Sequence, residues 1–133
     1  MIKAGLTNEK TWTVNEEHLA SNISSGLVDA LSTPSLVAFC EECARLIVDP
    51  LLEPGQKTVG TRIELRHLAA TPPGMRVTVH AELVEVNGRK LRFRIEAHDE
   101  VEKIGEAEHE RFIIDEARFN RRLQVKKAGP VSA

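Results

Sequence analysis

The spacing of apolar residues changes partway along the chain, and the change divides it into elements. From Thr33 to Leu52, the residues Leu36, Val37, Cys40, Cys43, Ala44, Ile47, Val48 and Leu51 recur at intervals of three and four, as one face of a helix requires. Thr33 offers a hydroxyl for the N-cap, and Pro34 follows at the first helical position, where a missing N–H is harmless. Asp49-Pro50 and then Glu53-Pro54-Gly55 stop the helix. After Gly55 the period becomes two: Val59, Thr61, Ile63, Leu65 and His67 share one face of a strand, while Arg62, Glu64 and Arg66 take the other.

Thr71-Pro72-Pro73-Gly74 turns the chain into a second strand with Val77, Val79, Ala81 and Leu83 inward. Asn87-Gly88 predicts a tight hairpin, after which Leu91, Phe93, Ile95 and Ala97 alternate with Arg92, Arg94 and Glu96. A charged turn, Asp99 to Lys103, precedes a last strand from Ile104 to Ile114. Nearer the ends, Lys10 to Val14 predicts a short first strand, and Asn15 caps a helical segment around Glu16–Ala20. Asp115 to Gln124 reads as a final amphipathic helix with Phe119 and Leu123 at i, i+4, and residues from about 125 to 133 are expected to fray. One apolar helix and one half-buried antiparallel sheet satisfy each other if the sheet wraps the helix, an α+β arrangement. Short strand, long helix, then four antiparallel strands is the element order of a hotdog fold. A homodimer would cover what one such layer leaves exposed and would pair sheet edges.

Composition narrows the function classes. A chain of 133 residues suits one domain. Lys+Arg total 18 against 20 Asp+Glu, a net charge of -2, which lacks the basic footprint of a nucleic-acid binder; 4% aromatic residues leave no base-stacking surface either. No apolar run approaches the roughly 20 residues of a membrane span, and Met1–Lys10 has no apolar signal core before Glu9 and Lys10. The expectation is a cytoplasmic protein with neither nucleic acid nor membrane as a partner. Cys40-Glu41-Glu42-Cys43 has the spacing of a redox pair, yet it lies two turns inside the helix, away from the terminus that would lower a thiol pKa. No second pair follows at zinc spacing and no phosphate-cradling glycine loop is present, so buried packing of the thiols, no metal and no cofactor are expected.

Three residue types could carry chemistry. Glu41 projects at one edge of the apolar arc and Glu42 at the other, and periodicity does not choose between them. His67 continues the inward series at the end of its strand, where an imidazole can serve as acid or base or as a satisfied core residue. His18, His80, His98 and His109 show no comparable context. Thr33 is either a plain N-cap or a hydroxyl placed beside the orphan N–H groups of a helix terminus.

With these residues in view the sequence resembles the fluoroacetyl-CoA-thioesterase-like family of hotdog proteins. The resemblance runs from about Thr11 to Asn120. Leu31-Ser32-Thr33-Pro34, Glu41-Glu42-Cys43-Ala44, Leu52-Glu53-Pro54-Gly55 and Val59-Gly60-Thr61 carry it, followed by Arg66-His67-Leu68-Ala69-Ala70-Thr71-Pro72-Pro73-Gly74, Ile104-Gly105 and His109-Glu110-Arg111-Phe112. The most specific signal is the His-x-Ala-Ala-Thr-Pro-x-Gly run followed by His-Glu-Arg.

The resemblance implies an acyl-CoA thioesterase with catalytic Thr33, Glu41 and His67, and with Gly60 and Arg111 contacting substrate. Glu41 would attack the thioester or orient water, His67 would move the proton, and Thr33 would position the carboxylate. The fluoroacetate-specific member guards its acyl pocket with phenylalanine, and Leu27 falls at a principal guarding position, so another short or medium acyl group is expected. A non-catalytic acyl-CoA or small-ligand binding protein is the alternative from another class. A hotdog hydratase or dehydratase lacks its Asp/His pair here.

Overall fold

The computed structural model describes residues 1–130. Its strands are β1 (Thr7–Thr13), β2 (Gln56–His67), β3 (Arg76–Asn87), β4 (Lys90–His98) and β5 (Lys103–Asp115); its helices are α1 (Thr33–Val48) and α2 (Glu116–Lys127). All strand pairs are antiparallel and form one sheet in the order β1-β3-β4-β5-β2. The sheet curls around α1, which packs on β1, β2, β3 and β4, as the α+β hotdog reading anticipates. No helix among the described residues is long and apolar enough to cross a membrane.

The core follows the two periods. Leu36, Cys40, Cys43, Ala44, Ile47 and Val48 of α1 are buried against Val77, Val79, Ala81 and Leu83 of β3 and Leu91, Phe93, Ile95 and Ala97 of β4. Val37 is only half-buried and Leu51 is exposed, whereas Phe39, outside the expected apolar set, is buried. Its ring stacks on Trp12 with centroids 4.5 Å apart and meets the His18 ring edge-on at 5.0 Å, which clamps the loop after β1 to the helix.

Several boundaries move for identifiable reasons. β1 begins at Thr7 rather than Lys10, because its inward residues satisfy α1 by polar contacts instead of apolar ones. Asn8 Nδ2 donates to the Cys43 carbonyl at 3.2 Å, and Lys10 pairs with Glu42. The hairpin centres on Gly88-Arg89, one residue beyond Asn87-Gly88, since Asn87 still pairs with Lys90. Gly88 supplies a positive φ of 61° at the first central position. α2, capped by Asp115, extends to Lys127, so the expected fraying from 125 does not begin there; residues 131–133 of that tail lie outside the described residues.

The correction that matters most for the site is in β2. Its register against β5 shifts between Gly60 and Arg62, so Thr61 is an extra residue in a bulge. Thr58 is buried before the bulge, and Ile63, Leu65 and His67 turn inward after it, whereas Thr61, expected on the inner face, is exposed. A bulge consumes one residue and reverses which sequence parity faces the helix.

Candidate active site

The N-terminus of α1 is built differently from the expectation. Ser32, not Thr33, is the N-cap: its hydroxyl accepts from the Ser35 N–H at 3.1 Å. Thr33 is therefore the first helical residue, with its hydroxyl unused by the helix. That hydroxyl lies 2.8 Å from His67 Nδ1, which joins the start of α1 to the end of β2. His67 Nε2 is buried without a hydrogen-bond partner among the described residues. Burial pushes the His67 pKa below its ordinary value, favouring the neutral ring, while the nearby Ala69 carbonyl pulls the other way.

A second cluster forms two turns along the helix. Glu41 turns toward β2 and β5, where its Oε2 lies 3.6 Å from Arg111 Nη1. Glu42 faces the opposite way and pairs with Lys10 of β1. Gly60 makes room for Glu41: a Cβ at this position would lie 2.6 Å from Glu41 Oε2, 3.3 Å from His109 Cε1 and 3.4 Å from Arg111 Nη1. The absence of a side chain lets the backbone approach the carboxylate.

Arg111 is 5% exposed, and its charge is compensated by specific acceptors. Its Nε donates to Thr58 Oγ1 at 2.9 Å, its Nη2 to the Thr58 carbonyl at 3.1 Å, and its Nη1 faces His109 Nε2 at 3.2 Å. Burial lowers the Arg111 pKa and Glu41 raises it again; a guanidinium remains protonated through such shifts. Glu110, between the two, points outward to Lys90 at 2.7 Å and Arg62 at 3.2 Å, so the alternation of β5 sends the histidine and arginine of His-Glu-Arg inward together.

Among the expected site residues, then, Thr33 and His67 meet each other, and Glu41, Gly60 and Arg111 meet each other. No hydrogen bond or ion pair joins the two groups within one chain among the described residues. Eight helical residues separate Thr33 from Glu41, a rise of about 12 Å, and the β2 segment from Gly60 to His67 spans roughly 20 Å. Leu27 is 98% exposed on the loop before α1 and joins neither group. His109 is the residue the sequence reading passed over. It is 1% exposed, and extending the inward series of β5 through Ala107, His109, Arg111 and Ile113 would have marked it. Cys40 and Cys43 are buried in the core, where burial pushes their pKa values up to about 12 and about 11, away from any redox role.

Comparison with known proteins places the fold and the family. The family described as fluoroacetyl-CoA-specific thioesterase matches residues 14–117. The fluoroacetyl-CoA thioesterase of Streptantibioticus cattleyicolor is 43% identical over 98 residues, covering 74% of this chain and 70% of that protein. A solved fluoroacetyl-CoA thioesterase structure superposes with a TM-score of 0.90 at 33% identity, over 95% of this chain and 98% of that one. A thioesterase superfamily member from Thermus thermophilus superposes with a TM-score of 0.88 at 30% identity, over 98% of each chain. With a matched hotdog fold and a match that takes in both residue clusters, the chain belongs to the fluoroacetyl-CoA-specific thioesterase family.

Proposed function

We propose that this protein hydrolyses a short- or medium-chain acyl-CoA thioester to the free acid and CoA, as a cytoplasmic homodimer whose site takes residues from two copies. The observation that carries the reading is the Glu41 carboxylate held over Gly60 by the buried Arg111 guanidinium. Glu41 directs water at the thioester carbon, the neutral His67 ring takes that water's proton as the C–O bond forms, and backbone N–H groups near Gly60 stabilise the oxyanion as it develops. The C–S bond then breaks, and His67, oriented by the Thr33 hydroxyl, returns a proton to the departing CoA sulfur. Leu27, in place of an aromatic guard, supports an acyl group other than fluoroacetyl.

The two separated clusters support the second copy. β2 lies at the edge of the sheet, so one side of a 12-residue strand lacks a partner strand in the protomer. An antiparallel pairing of β2 with its symmetry mate, with the two-fold axis at Glu64 and the bulged Thr61 left out of the ladder, sets Gly60 opposite the partner's His67. The Glu41 cluster of one protomer then faces the Thr33 and His67 pair of the other.

Assay of an acyl-CoA panel with a thiol reagent tests the activity. Thiol release that disappears in both Glu41→Gln and His67→Gln is expected; binding without turnover would favour the non-catalytic alternative. Co-expression of those two inactive variants tests the shared site. A mixed dimer built across two copies regains one intact site, whereas a site built within one chain stays dead.

A further inference from the structure

We propose that His109 is a positioning residue for this site: as the neutral Nδ1–H tautomer it accepts a hydrogen bond from Arg111 and so holds the guanidinium against Glu41. The proton assignment follows from its neighbours. His109 Nδ1 lies 2.7 Å from the Arg62 carbonyl, which can only accept, so Nδ1 carries the hydrogen. His109 Nε2 lies 3.2 Å from Arg111 Nη1, which can only donate, so Nε2 must present its lone pair. A protonated ring would set an N–H against the guanidinium and break the contact.

Each of the three guanidinium nitrogens of Arg111 thereby has a partner. Thr58 takes Nε and Nη2, and His109 shares Nη1 with Glu41, whose Oε2 is 3.6 Å away. Without the His109 lone pair, the planar guanidinium loses its anchor at the Nη1 end and can tilt about its Thr58 contacts, off the Glu41 axis. Burial decides for the neutral ring, because the charged and polar neighbours are divided. Arg111 on the same strand opposes a second positive charge; Glu41 from α1 and Glu110 from β5 pull the other way, β2 contributes the Arg62 carbonyl, and β4 contributes only the Phe93 ring, 6.0 Å off. Burial is the larger influence and pushes the His109 pKa below its ordinary value.

The inference rests on the proposed role of Glu41, so Glu41→Gln is measured beside it. The tests are His109→Leu, which removes the acceptor and fills the space, and His109→Gln, whose amide oxygen can accept from Arg111 in its place. His109→Leu is expected to lower kcat about 10- to 100-fold, as loss of a hydrogen bond to a buried charge does, with KM changed far less. His109→Gln is expected to recover most of that loss. In an Arg111→Ala background, adding His109→Leu should cost nothing further in kcat, because the two act through one contact. A purely structural role would lower the melting temperature without sparing KM and without this non-additivity. The proposal is overturned if His109→Leu keeps wild-type kcat, or if the losses multiply in the double variant; should His109→Leu not fold, His109→Gln that behaves no better than Arg111→Ala overturns it. If Glu41→Gln is itself fully active, the functional reading fails and His109 has nothing to position.

Discussion

Gly60→Ala separates catalysis from stability at one atom. A Cβ at this position would sit 2.6 Å from Glu41 Oε2, roughly 0.8 Å inside ordinary contact distance, and 3.3 Å from His109 Cε1. Gly60 does not occupy the left-handed region, so alanine is compatible with its backbone and even lowers unfolded-state entropy, a gain of about 0.4–1 kcal/mol. The atom in the way is the far end of a flexible, half-exposed side chain, and the carboxylate yields by swinging toward solvent and away from Arg111. Stability should therefore stay within about 1 kcal/mol of the parent. Activity should not. A displacement near 1 Å at a reacting group costs about 100-fold in rate, so kcat/KM on the best acyl-CoA of the panel is expected to fall by about that factor. Steady-state thiol release and a thermal melt on the same preparation make the comparison. An alanine variant with unchanged melting temperature and wild-type kcat/KM would show that the placement of Glu41 over Gly60 is irrelevant to turnover.

Other predictions follow from the same geometry. Ser32→Ala removes the cap of α1 and should cost about 1 kcal/mol in urea denaturation with kcat nearly intact; Thr33→Val should do the reverse, lowering kcat about 10-fold through its lost contact with His67 at little cost in stability. His67 and His109 both have pKa values depressed by burial, so their neutral forms add stability that is fully present above the unfolded value near 6.5 and lost as pH falls through the lower folded values. Urea midpoints should drop below pH 6.5, and replacing both histidines by glutamine should flatten that drop; an unchanged slope would contradict the burial argument. Cys40 and Cys43 should be silent to a thiol reagent in the native protein and titrate as two thiols in denaturant; rapid native labelling would contradict their burial in the core.

The elements were readable because their periods were clean. Six of the eight positions picked by spacing line the core, and β3 and β4 alternate as their sequences do. Spacing failed where one residue decides the outcome. Ser32 and Thr33 both offer hydroxyls, and only the path of the chain into α1 determines which one caps and which one is left for His67. The Thr61 bulge has no sequence mark, since its consequence is a register shift against Glu110 of β5, 49 residues away. Glu41 and Glu42 are told apart by what stands opposite, Arg111 or Lys10, which is tertiary information. His109 was hidden between Glu108 and Glu110, which make its surroundings read as solvated, although its parity matched the buried residues of its strand.

The Thr61 bulge also bears on moving this strand into another protein. Gly60 and His67 are an odd number of positions apart, and in an unbroken ladder such residues would look out from opposite sides of the sheet. Here they share a side because one residue is skipped. A designer who copied only the in-and-out lettering of β2 onto a regular scaffold would turn the histidine or the glycine to the wrong side. The transplant must reproduce the irregularity against its neighbour, or drop Thr61 and accept a straighter strand.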